Sequence, residues 1–212
     1  MHVVRRAVAV TSALALAAGG ALAVAAPSAA ATGNRSLAKV LTSDDNRFDK
    51  NGRDFDVVTE AALAVLKAKP DSAVSVLTKG KTRVTAFVPT DQAFRVLAYD
   101  LTGNWISKEK KLFNTVASLG IDTVETVLLY HVVPGATITA KKALDSDGAA
   151  LTTAQGGKVT VDVLNPNSGA IRLQDLDVDD VDPFTIPALL DINKGNKQVA
   201  HGISYVLRPA DL

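Results

Sequence analysis

Leu128-Leu129-Tyr130-His131-Val132-Val133-Pro134-Gly135 carries a change of hydrophobic period within one short stretch. Upstream, Val124, Val127 and Leu128 recur at helical spacing, which places Tyr130 and His131 at a helix end. Asp122 starts that helix, and Glu125 three residues later reads as an acidic version of a capping box. Downstream, Val132-Val133 is β-prone and meets Pro134-Gly135, a residue pair suited to a type II turn. The stretch therefore predicts a helix that runs directly into a strand.

The same alternation extends outward. Asp56 is placed to cap a helix running to Lys69, with Val57, Val58, Ala61, Ala62, Val65 and Leu66 on its apolar stripe and Pro70 as its stop. A second short helix fits residues 71–79. Arg83–Val88 then reads as a strand ended by Pro89-Thr90-Asp91, with Thr90 as the cap of a helix carrying Ala93, Phe94, Val96 and Leu97. Another helix begins at Ser107. The C-terminal third offers strands at 149–154, 158–164, 170–176, 198–201 and 203–208. Helices first and strands later predict an α+β domain with helices packed on a mostly antiparallel sheet system.

Three segments together resemble the fasciclin-like domain family. They are Val84–Phe94 (VTAFVPTDQAF), Leu128–Gly135 (LLYHVVPG) and Lys197–Pro209 (KQVAHGISYVLRP), in that order. The resemblance spans about residues 54–210. In the third segment Gln198 stands where the family often has glycine, and Ala200 and Gly202 where larger apolar residues are usual. The resemblance implies a wedge of two β-sheets with helices packed against it. It also implies a non-enzymatic role in adhesion, homophilic contact, or binding to cell-surface or matrix proteins. Carried residue by residue, it makes Tyr130, His131, Thr90, Asp91 and His201 candidate contact residues.

The chain ends and composition are read independently of that likeness. Residues 1–31 open with Arg5 and Arg6, continue as an apolar run and end in Ala29-Ala30-Ala31, the pattern of a cleaved secretory leader. An N-terminal arm over 32–53 and a domain over 54–212 follow. The Ala-rich leader suggests a bacterial source, and no second apolar span follows, so no integral anchor is expected after cleavage. Without the leader, 21 basic residues face 22 acids, a balance that argues against nucleic acid as a partner. There is no cysteine, so the exported domain must be held by its core alone.

Reactive constellations are scarce. Beyond the leader the histidines are His131 and His201, each inside an apolar motif. Buried, neutral rings bonded to backbone are expected there rather than a metal pair. No nucleophile elbow, His-Glu-x-x-His or phosphate-cradling glycine loop occurs, and no cofactor is implied. Lys108–Lys111 reads as a solvated helix face, and Gln174–Asp179 as a strand with a wet acidic face. Asp49–Glu60 (DKNGRDFDVVTE) has the length and end residues of a helix-loop-helix calcium loop. Arg53, Asp54 and Asp56 occupy places where that loop needs a ligand, a glycine and an apolar residue, so no metal is expected of it. The alternative to adhesion is an extracellular binder of a small apolar ligand, in a pocket between sheet and helices.

Overall fold

Val84–Pro89 forms β1, and every residue of it is buried. A strand buried along its whole length must be covered on both faces. In the computed structural model, which describes residues 32–43 and 48–211, both covers are present. The leader read over residues 1–31 lies outside the described residues. Five helices precede the second strand: α1 (Leu37–Leu41), α2 (Asp56–Ala68), α3 (Asp91–Thr102), α4 (Glu109–Ala117) and α5 (Ile121–Tyr130). A 3₁₀ turn, Ala73–Thr78, stands where the sequence suggested a short helix. Then come β2 (Val132–Pro134), α6 (Ala140–Leu144), β3 (Ala150–Thr152), β4 (Lys158–Asn165), β5 (Ala170–Gln174) and β6 (Gln198–Ile203).

The strands form two three-stranded sheets, ordered β2-β1-β6 and β3-β4-β5. β1 pairs antiparallel with β2 and parallel with β6, so the last strand joins the first in one sheet. Alternation along β1 divides the core. Ala86 and Val88 join α2, α3, α4 and α5 on one side. Phe87, together with Val133 and Ile203, faces Val159, Val161, Ile171 and Leu173 of the second sheet on the other. The α+β architecture is thus the one the element order implied. Among the described residues no single helix is long and apolar enough to cross a membrane.

The N-terminal arm is stitched onto the turn before β6. Gly33 bridges Asn196, and the Arg35 amide donates to Asn196 Oδ1 at 2.9 Å. Leu37 on α1 is buried, and its amide donates to Gln198 Oε1 at 2.8 Å. The Gln198 amide group donates in turn to the carbonyls of Val76 and Lys79. Gln198, where the family often has glycine, is therefore a buried clasp between arm, 3₁₀ turn and β6.

Several local expectations are corrected. α5 starts at Ile121 with Gly120 as its cap residue, and Glu125 pairs with Lys69 at 2.5 Å instead of closing a capping box. α4 is preceded by Lys108, not Ser107. Asp56 is the first residue of α2 and not its cap. α6 was not anticipated; its cap is Thr139, whose hydroxyl accepts the Lys142 amide. Beyond Ile203, the end of β6, no further strand forms: the Ser204 amide turns to the Phe184 carbonyl, and the Leu207 and Arg208 amides are taken by side chains. The Leu207 amide donates to His131 Nε2 and the Arg208 amide to Asp175 Oδ2. β5 ends at Gln174, so the acidic run after it is a loop and not a strand face.

Candidate functional site

The five residues carried by the resemblance all lie in the interior: Tyr130, His131, Thr90, Asp91 and His201. Tyr130 closes α5 against the second sheet. Its hydroxyl donates to the Lys158 carbonyl at 2.7 Å. Gly157 makes room for the ring, since a Cβ there would lie 2.9 Å from Tyr130 Cε2. Burial, followed by the charge of Asp175, pushes the phenol well above its usual range.

His131 caps the C-terminus of α5. Its Nδ1 lies 2.7 Å from the Val127 carbonyl, and its Nε2 lies 2.9 Å from the Leu207 amide nitrogen. A carbonyl can only accept and an amide can only donate, so the ring is neutral with its proton on Nδ1. Desolvation lowers its pKa to about 4. His201, opposite Phe87 in the β1–β6 register, has the reverse tautomer. Its Nε2 donates to the Ile138 carbonyl at 2.8 Å and its Nδ1 accepts the Asp191 amide at 3.2 Å. Burial lowers its pKa as well. The His201 ring lies 6.1 Å from that of Phe87, whose amide donates to the His131 carbonyl at 2.9 Å. Neither ring is placed as a nucleophile's base or as a metal ligand.

Thr90 and Asp91 stand at the other end of β1. Thr90 Oγ1 accepts the Ala93 amide and caps α3. Asp91 caps a different helix: its Oδ1 accepts the Val57 amide of α2 at 3.0 Å. That supplies what Phe55, the residue before α2, cannot. Burial raises the Asp91 pKa to about 8, and the charges of Asp54, Glu109 and Asp56 push in the same direction. Glu109 is buried as well, so the Lys108–Lys111 stretch is not simply a solvated face. Its Oε1 accepts Arg95 Nη2 at 2.6 Å.

The stretch Asp49–Glu60 is a turn followed by α2. Asp49 Oδ1 accepts the Asn51 amide and Asn51 Oδ1 accepts the Arg53 amide, two successive side-chain turns.

The acidic run holds a cation from the same chain. The buried Arg208 reaches Asp100 at 2.7 Å, Asp180 at 3.0 Å and Asp177 at 3.6 Å. Asp175 accepts the Arg208 amide, and burial followed by neighbouring like charge raises its pKa to about 6. With Asp175, Asp177 and Asp180 turned to Arg208, the loop exposes its apolar residues. Val178 is 96% accessible, and Leu176 and Val181 are about half exposed. Sequence reasoning missed this site, because Arg208 lies far along the chain from the acids it gathers.

Cavities in the apolar interior are small. The space between α2, α3, α5 and β1, lined by Val58, Phe94, Leu97, Val127, Leu128 and His131, holds ≈ 20 Å³. That is room for about one water, far below the roughly 300 Å³ of an ordinary ligand pocket.

The family model of the fasciclin domain matches residues 58–209. No curated protein matches the chain significantly. Among solved structures, the chain is similar to a FAS1 domain pair from the insect cell adhesion molecule Fasciclin I, described as a novel fold. The TM-score is 0.53 and the identity 17%, over 83% of this chain and 51% of that one. The chain thus spans about half the length of that domain pair.

Proposed function

This chain belongs to the fasciclin domain family, and from that premise we propose that it is an exported, non-enzymatic protein that mediates cell-surface or extracellular-matrix adhesion. The organisation that goes with this reading is a leader over 1–31, an arm over 32–53 and the domain over 54–212. The observation that carries the reading is the loop pinned by Arg208. It holds Leu176, Val178 and Val181 outward in a fixed arrangement, next to the exposed Asp179. A fixed apolar ridge with an acidic rim suits a protein surface that is apolar and basic. The origin of the FAS1 pair in an adhesion molecule supports the same class of function by analogy.

Catalysis has little to draw on, since both histidines are spent on backbone groups. The small-ligand alternative loses support from the ≈ 20 Å³ interior space. The partner is a cell-surface or matrix protein, or a second copy of the chain. The test is binding of the purified chain to native cell-envelope and matrix proteins, with sedimentation for self-association. Val178→Asp should abolish the interaction and leave the thermal midpoint unchanged. A chain that stays monomeric and binds nothing across that panel ends the adhesion reading.

A further inference from the structure

Three helices begin at one place. Asp56 opens α2, Asp91 opens α3 and Glu109 opens α4, and Asp54 lies in the turn just before α2. One carboxylate oxygen each from Asp54, Asp91 and Glu109 lies within 4.8 Å of the others. A second set, Asp49, Asp54 and Asp56, meets the same distance and shares Asp54. Asp56, Asp91 and Glu109 are almost fully buried.

The cluster contains more than gathered charge. Asp91 Oδ1 is occupied by the Val57 amide and Glu109 Oε1 by Arg95. Their second oxygens, Asp91 Oδ2 and Glu109 Oε2, are buried and have no hydrogen-bond partner among the described residues. Buried carboxylate oxygens are costly without a partner. A proton on Asp91 would satisfy that residue alone. A cation between them would satisfy both.

We propose that Asp54, Asp91 and Glu109, with Asp49 and Asp56 beside them, bind one hard divalent cation of the calcium class, which ties the first turns of α2, α3 and α4 together. The donors are all carboxylate oxygens, the set that calcium takes at about 2.3–2.6 Å. Oxygens on opposite sides of such an ion lie up to about 4.8 Å apart, so carboxylate oxygens that all lie within 4.8 Å of one another are close enough to share one ion. Magnesium demands a tighter octahedron and keeps several waters, for which a buried cluster is poorly suited. An open groove lined by Phe48, Asp49, Gln92, Arg95 and Glu109 gives the ion a way in. This is not the helix-loop-helix loop judged unsuitable in the sequence, because only Asp49, Asp54 and Asp56 come from that stretch. Asp91 and Glu109 arrive from α3 and α4.

The experiment is a titration of the chelator-stripped chain with calcium chloride, followed by calorimetry and by thermal melting. One-site binding is expected in the roughly 10⁻⁵–10⁻³ M range, reaching the affinities of extracellular modules, together with a rise in melting temperature. Asp91→Asn keeps an oxygen for the Val57 amide, and Glu109→Gln keeps one for Arg95. Each should weaken calcium at least tenfold, while Asp179→Asn on the Arg208 loop leaves it unchanged. Manganese added to the wild-type chain should broaden the amide resonances of Val57, Asp91 and Gln92 first, a readout that needs no variant to fold. Absence of heat and of any melting shift overturns the site. So does calcium affinity retained in both cluster variants, or broadening centred on residues 177–180.

Discussion

His131 accepts the backbone amide of Leu207 across 76 residues of sequence, at 2.9 Å and out of contact with water. The bond joins the end of α5 to the segment that follows the last strand. Its other nitrogen is held by Val127, so the ring has no freedom to turn. A histidine placed in this way works as a structural staple that functions only while neutral.

That requirement sets a pH dependence. The folded pKa is about 4 and the ordinary value 6.5, so the unfolded chain binds a proton at a pH where the folded chain does not. Stability from His131 is therefore full above about pH 6.5 and is lost as pH falls toward 4. The loss at pH 5 is roughly 2 kcal/mol. Asp91 and Asp175, with pKa values raised to about 8 and about 6, act in the opposite direction, so the wild-type curve alone mixes these contributions. Comparison with His131→Asn separates them. The wild-type advantage in urea melts should shrink by about 2 kcal/mol between pH 7.5 and pH 5. An advantage that is the same at both values would mean that the ring does not charge on unfolding.

Tyr130 and Gly157 give a paired prediction. Tyr130→Phe leaves the Lys158 carbonyl without its hydroxyl partner and should cost about 1–2 kcal/mol. Gly157→Ala places a Cβ 2.9 Å from the Tyr130 ring and 3.1 Å from Leu176 Cδ1, and should cost about 1–3 kcal/mol through overpacking. Tyr130→Leu in the Gly157→Ala background should recover part of that loss. Strictly additive melts of the double variant would show that the ring is not the obstacle.

How far the sequence was legible depends on the range over which each feature acts. The helix from Asp56, the strand before Thr90 and the Tyr130–Pro134 junction were readable, because periodicity and capping are local. The roles of Asp91, Glu109 and Glu125 were not. Each looked like a first-turn acid or a surface charge, but each pairs with a residue from another element. Residues 203–208 looked like a strand by composition. Nothing local shows that the Leu207 and Arg208 amides are claimed by His131 and Asp175. The burial of the candidate contact residues was illegible for the same reason. A motif shared by a family is as easily a packing motif as a binding one.

Gln198 tests whether the arm belongs to the folding unit. Its side chain satisfies the Leu37 amide and the Val76 and Lys79 carbonyls in the interior. Gln198→Leu keeps the volume and strands all three groups, which should cost roughly 2–4 kcal/mol. The damage should be directional. Hydrogen exchange at Leu37 should accelerate strongly, while exchange at Val161 and Leu173 in the second sheet changes only as global stability requires. Equal acceleration at all three sites would show that the clasp supports the whole core and not the arm in particular.

Arg208 connects the fold to the proposed surface. Its guanidinium gathers Asp100 from α3 and Asp177 and Asp180 from the loop, while its amide takes Asp175. Arg208→Lys keeps the charge but loses the planar fork, so at most one or two of these acids remain held. The acids left buried beside it repel one another, and about 1–3 kcal/mol of stability should be lost. The loop should also loosen, with proteolysis at low protease concentration beginning between Leu176 and Asp182. Val178→Asp, by contrast, changes a side chain that already stands in water and should leave stability within about 0.5 kcal/mol of wild type. If adhesion uses the pinned ridge, both variants lose binding, Arg208→Lys through disorder of the loop and Val178→Asp through its contact alone. Binding retained by Arg208→Lys despite a cleavable loop would move the contact surface elsewhere on the domain.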